Sequence, residues 1–190
     1  MNDEAITIVS GLPRSGTSLM MQMLDAGGLS ILTDNVRSPD EDNPKGYYEL
    51  EAVKRTRKDP SWLNEAGGRV VKMVHLLLYD LPTERTYRVI FMKRDLREVV
   101  RSQSKMLQRR GTKGGDLSPD QLMKGFERQL EKIEAWLGER PNYEVLYVSY
   151  NDLMKDPAAA VEAVNRFLGG ALDGDAMRKT VDPSLYRQRC

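Results

Sequence analysis

The sequence predicts one three-layer α/β/α domain over residues 1–190, built on a central, mainly parallel sheet. Two observations lead there. Short, continuous β-branched runs alternate with amphipathic segments of ten or more residues, the pattern of parallel strands joined by right-handed helical crossovers. The composition, 40% hydrophobic and 30% charged over 190 residues, supplies a core for one domain and is too apolar for a disordered chain. Charge is balanced, 29 basic residues against 28 acidic, so no global field draws the chain to nucleic acid or to anionic membrane. Any anion site must be local.

The first strand is "AITIVS" (5–10), a short apolar run stopped by Gly11 and Pro13. "SLMMQMLDAGG" then switches to a helical repeat and ends on Gly27 and Gly28, a helix C-terminal signal. Residues 34–46, "DNVRSPDEDNPKG", are polar and turn-rich and read as a surface loop suited to substrate contact. A short helix is expected from Glu49 to about Lys58, stopping before Asp59-Pro60.

"RVVKMV" (69–74) and "RVIFMK" (88–93) read as central strands because they are continuous and β-branched. Asp95 caps a helix to about Arg110, a glycine-rich loop covers 111–119, and Ser118-Pro119 opens the next helix as N-cap and N1. On that helix Leu122, Phe126, Leu130, Ile133 and Leu137 fall on one face, which is expected to be buried. "YEVLYVS" (143–149) is the last strand, and Asp156-Pro157 begins a final amphipathic helix to Leu168.

The single cysteine, Cys190, has no partner in the chain, which points to a reducing compartment and a cytoplasmic protein. The N-terminus "MNDEAITIVS" is acidic and enters a strand at once, and no run has the length of a membrane span, so neither signal peptide nor anchor is expected.

The loop "GLPRSGTS" (11–18) joins a strand to a helix and nearly spells GxxxxGK[ST], with Thr17 where that motif has lysine. This is a P-loop-type arrangement. Backbone N–H groups curl inward, and the helix from Thr17 adds its unpaired N-terminal donors, so the loop is built for an anion. A triphosphate clusters about four negative charges and recruits Mg²⁺ and the loop lysine. A phosphosulfate carries about two, which one cation and backbone donors can hold without metal. Arg14 qualifies as that cation, because its planar fork reaches two oxygens.

On these residues the loop resembles the 5′-phosphosulfate loop of sulfotransferases that use 3′-phosphoadenosine 5′-phosphosulfate (PAPS), with arginine at position 14 as in the bacterial and Golgi-type branches. "RDLREVVRS" resembles the family's 3′-phosphate segment through Arg94 and Ser102; by residue type alone these are an arginine at a strand end and a serine two turns into a helix. "YVSYNDLMKDPAAAVEAVNRFLG" is similar to the family's strand, short loop and late helix. The resemblance implies that Arg14, Ser15, Gly16, Thr17 and Ser18 hold the phosphosulfate and that Arg94 and Ser102 hold the 3′-phosphate. It also implies PAPS as co-substrate, no metal, and a small-molecule or metabolite acceptor. The tail "VDPSLYRQRC" lacks the RKGxxGxWK-like segment of the soluble animal branch; Arg178, Lys179, Arg187 and Arg189 are its candidate replacements or simply solvated cations.

Transfer to a hydroxyl or amine needs a proton acceptor, and two residues qualify. His75 follows "RVVKM", where the soluble animal branch has Lys-x-His. Here the spacing is Lys72-Met-Val-His75, which in a strand turns the two side chains to opposite faces. Glu49 closes "NPKGYYE" and resembles the glutamate base of bacterial and heparan-type branches, so it is favoured over His75. Arg97, Arg101, Lys105 and Arg109 form a cationic helix stripe, a solvated face or a means of steering an anion. The rival readings are a P-loop nucleotide kinase or triphosphatase and a non-catalytic nucleotide-binding module.

Overall fold

The computed structural model describes residues 5–34, 46–109, 111 and 117–186. Four strands form its sheet: β1 (Ile6–Gly11), β2 (Val70–Lys72), β3 (Tyr87–Lys93) and β4 (Tyr143–Ser149). Their order is β2-β1-β3-β4, and every pairing is parallel. All six residues of β1 are buried, as a strand covered on both faces requires. Alternation sorts them: Ile6 and Ile8 enter one apolar layer with Phe91, Ile133 and Leu137, and Val9 enters the other with Met20, Ile90 and Leu153.

The helices are α1 (Thr17–Ala26), α2 (Leu96–Arg109), α3 (Pro119–Gly138), α4 (Tyr150–Lys155), α5 (Pro157–Phe167) and α6 (Gly174–Lys179). Ser118 caps α3 with a full capping box to Gln121, as Ser118-Pro119 suggests. From β1 the chain passes to β2 on one side, and from β3 it passes to β4 on the other. The loops leaving β1 and β3 therefore diverge, opening a crevice at the carboxyl ends of these two neighbours, where open α/β sheets bind ligands.

Four expectations change in detail. The segment expected as a helix from Glu49 to about Lys58 is a five-residue 3₁₀ turn, Glu51–Arg55, held by buried Val53, and Glu49 lies before it. The run 69–74 yields only three strand residues, because the chain turns into a 3₁₀ helix at His75–Asp80; the other edge of β2 meets Ile31 in an isolated parallel bridge at Val70. On α3 the predicted face is fully buried only at Ile133 and Leu137, while Leu122, Phe126 and Leu130 are half-buried. Midway along α3, Gln129 meets His75 beyond the end of β2. Finally, α5 is followed by the short α6, capped by Asp173 and anchored by buried Met177. Most of the expected loops 34–46 and 111–119 lies outside the described residues, as do Arg187, Arg189 and Cys190.

Candidate functional site

The loop after β1 is shaped by backbone that side chains tolerate poorly. Gly16 has φ 100°, and a Cβ there would stand 2.3 Å from the Tyr150 ring. Only glycine fits. Arg14 is also left-handed, at φ 71°, which orients its carbonyl toward Arg94. Among the described residues no side chain caps α1, so the donors of its first turn face the crevice. Ser15 Oγ is buried and has no hydrogen-bond partner among the described residues, which is the demand an anion in this loop meets.

On the β3 flank, the two segments predicted to bind anions are joined. Arg14 Nε donates to Ser102 Oγ at 2.9 Å, and the Arg94 guanidinium donates to the Arg14 carbonyl at 3.0 Å. Arg94 also pairs with Glu98 at 2.9 Å, with side chains only 7% and 3% exposed. Its guanidinium lies 4.4 Å from the Tyr150 ring centre and 5.7 Å from that of Tyr186. The bonds to Glu98 and to the Arg14 carbonyl use two of the five guanidinium donors. Tyr186 donates to Glu98 at 2.6 Å and accepts from Asn151 at 2.7 Å. Burial, then the Glu98 hydrogen bond and charge, push the Tyr186 phenol above its ordinary range, so it stays a donor.

The β2 flank carries the other cation. Lys72 ends β2 opposite Val9 and points to the α1 side, where its ammonium lies 3.3 Å from Ser18 Oγ. It also donates to the Tyr47 carbonyl and stands 3.7 Å from Glu49 Oε1. His75 lies on the opposite face, 2% exposed, with Nε2 at 3.1 Å from the Gln129 amide oxygen. Burial lowers the His75 pKa below the ordinary imidazole range, outweighing its hydrogen bonds to Gln129 and the Gly11 backbone.

The structure thus gathers Arg14, Ser15, Gly16, Thr17, Ser18, Arg94 and Ser102 around one crevice and sets Glu49 at its β2 edge. Glu49, flanked in the chain by Tyr48 and Leu50, is met by a cation, because Lys72 folds back onto it. Arg97, Arg101, Lys105 and Arg109 are exposed, and Arg97 pairs with Asp95. Arg178 is paired with Asp175 on the exposed side of α6, and among the described tail residues Tyr186 meets the crevice. Sequence reasoning missed Tyr150, Tyr186 and Glu98, and placed Lys72 only by its spacing to His75. The only signal for Tyr150 was its place directly after a strand, where side chains point into the ligand crevice.

A family model described as a sulfotransferase domain matches residues 4–188. The chain belongs to the sulfotransferase domain family. Among solved structures, this sulfotransferase-family chain is similar to STF1 of Mycobacterium tuberculosis H37Rv, at 21% identity and a TM-score of 0.61, over 94% of this chain and 70% of that one. It is similar to mouse SULT7A1 complexed with PAP, at 14% identity and a TM-score of 0.56, over 100% of this chain and 68% of that one. A retinol dehydratase complexed with androsterone and the inactive cofactor PAP matches at 18% identity and a TM-score of 0.53, over 92% of this chain. The chain spans 62% of that protein's length. No curated protein sequence matches the chain.

Proposed function

We propose that this chain transfers a sulfuryl group from PAPS to a hydroxyl or amine of a small-molecule acceptor. The supporting observation is the joined pair of anion segments: Arg14 bonded to Ser102, and Arg94 bonded to the Arg14 carbonyl, beside an uncapped helix start. A donor with a 5′-phosphosulfate and a 3′-phosphate is the ligand that uses both segments at once. The buried Ser15 hydroxyl, without a hydrogen-bond partner among the described residues, fits that group as well.

In this reading the amides of residues 15–18 and the Arg14 guanidinium hold the phosphosulfate, and Arg94 and Ser102 hold the 3′-phosphate. The co-substrate supplies an electrophilic sulfur with a good leaving group. Arg14 stabilises the charge that develops on the 5′-phosphate as the S–O bond to it breaks. Glu49 takes the acceptor's proton as the new O–S or N–S bond forms, leaving adenosine 3′,5′-bisphosphate. Among the described residues no three His, Cys, Asp or Glu side chains are grouped to hold a metal, and no helix is long and apolar enough to cross a membrane. We place the reaction in the cytoplasm on the strength of the single cysteine.

The test is transfer itself. The protein is incubated with sulfur-labelled PAPS and a metabolite pool, and labelled products are identified by mass. A labelled organic sulfate or sulfamate is expected; bisphosphate binding without any labelled product would favour the non-catalytic module.

A further inference from the structure

Beside the second half of α1 lies an open cleft of about 340 Å³, lined by Gln22, Asp25 and Ala26 of that helix, by Tyr48 and by Thr180. Gln22 and Asp25 are three residues apart, so their side chains leave α1 on one face. The donor crevice is elsewhere. Asp25 stands eight residues beyond Thr17, a rise of about 12 Å along the helix.

Gln22 is 8% exposed, yet no hydrogen bond joins its side chain to another described residue. A polar side chain buried to this degree ordinarily has a partner, and the cleft is where one can reach it. Asp25 has no cationic partner among the described residues. Its carboxylate accepts from the Tyr48 hydroxyl, at Oδ2, over the long distance of 3.4 Å. It also sits in the last turn of α1, where the helix dipole disfavours negative charge and no basic residue of that turn offsets it. Tyr48, left-handed at φ 53°, forms the facing wall. Burial, then the Asp25 charge and hydrogen bond, push the Tyr48 phenol above its ordinary range, so it stays neutral and Asp25 is the one charged residue of the lining.

We propose that this cleft binds the ammonium group of an amine-bearing small molecule. An ammonium has three N–H donors and no acceptor. The Asp25 carboxylate, the Gln22 amide oxygen and the Tyr48 phenol oxygen are acceptors on two separate segments, and the Tyr48 ring offers a face to the charge. An anion would meet Asp25 with no cation in the lining to offset it. A lone metal ion would find one carboxylate where hard cations take six or more oxygens. The volume suits an ammonium together with the molecule that carries it. The inference goes beyond sulfuryl transfer and does not rest on it, because no residue of the cleft belongs to the donor crevice.

Hexylammonium and hexanol differ in charge and hardly in size. Each is titrated into the isotope-labelled chain and followed by NMR, with the Gln22 side-chain amide resonance reporting where it binds. Hexylammonium is expected to bind about tenfold more tightly than hexanol, to shift the Gln22 amide, and to weaken as salt is raised. Asp25→Asn keeps the shape and removes the charge, and the change relieves the helix dipole, so the variant should fold as well as wild type. In it the preference for hexylammonium should shrink to about twofold or less. Equal affinity for the two probes, a preference that survives Asp25→Asn, or a Gln22 amide that does not move would overturn the site. Adenosine 3′,5′-bisphosphate affinity is measured on the same variant, and a loss there would overturn the cleft as a site of its own by joining it to the donor crevice.

Discussion

On the β3 flank of the phosphate loop, Arg94 and Glu98 are 7% and 3% exposed and tied to Arg14, Tyr150 and Tyr186, whereas on the β2 flank Lys72 and Glu49 are 11% and 27% exposed and stand 3.7 Å apart. The first arrangement is a finished, cross-bonded wall. The second is a looser pair with one partner near solvent. A wall of this sort holds a constant part of a ligand, and a loose pair suits the place where charge moves during a reaction. On the proposed function, the nucleotide lies along the β3 flank and the acceptor on the β2 flank.

The largest effect is expected from Glu49→Gln, which keeps shape and removes basicity. Turnover should fall by about 10² to 10⁴ with bisphosphate binding undiminished. Steady-state kinetics and calorimetry on the same preparation check this, and loss of binding instead would move Glu49 out of the base role.

Arg94→Ala comes next because it attacks the finished wall. It leaves Glu98 buried without its cation, and the expected loss of stability is about 3 to 5 kcal/mol in denaturant unfolding. Adding Glu98→Gln should recover much of that stability and none of the bisphosphate affinity. Recovery of both would make Arg94 structural.

Tyr186→Phe sharpens the comparison from the tail side. It removes the hydroxyl that donates to Glu98 and accepts from Asn151, at an expected cost of about 1 to 3 kcal/mol in thermal or denaturant unfolding. A change under a few tenths would show that Tyr186 does not brace the Arg94–Glu98 pair.

The smallest effect is expected at His75, where His75→Asn should reduce turnover less than about tenfold. Its signature is in stability. Burial makes the folded chain hold the His75 proton more weakly than the unfolded chain, so stability is complete above pH 6.5 and falls as pH drops below that value. Melting temperatures from pH 7 to 5 should decline in wild type and flatten in His75→Asn.

Much of the fold was legible because local rules agreed. Buried strands announced themselves as β-branched runs, and Ser118-Pro119 and Asp156-Pro157 marked helix starts that the chain uses. Segment 49–58 was less legible, since nothing local distinguishes five residues of 3₁₀ turn from a short α-helix. At the site, the loop and the segment from Arg94 to Ser102 could be read because each is contiguous. Lys72, Tyr150 and Tyr186 could not, because the first reaches the loop across the β1–β2 pairing and the other two across β4 and the tail. Parallel topology brings them together, and sequence spacing carries no trace of it.

The central claim is that both anion segments serve one donor nucleotide. Its most direct test is the affinity of the wild-type chain for adenosine 3′,5′-bisphosphate, AMP and ATP, measured by calorimetry with Mg²⁺ and again with a chelator. The bisphosphate should bind much more tightly than AMP or ATP and equally well without Mg²⁺. Equal affinity for AMP would contradict the assignment of Arg94 and Ser102, and Mg²⁺-dependent preference for ATP would contradict the sulfotransferase reading itself.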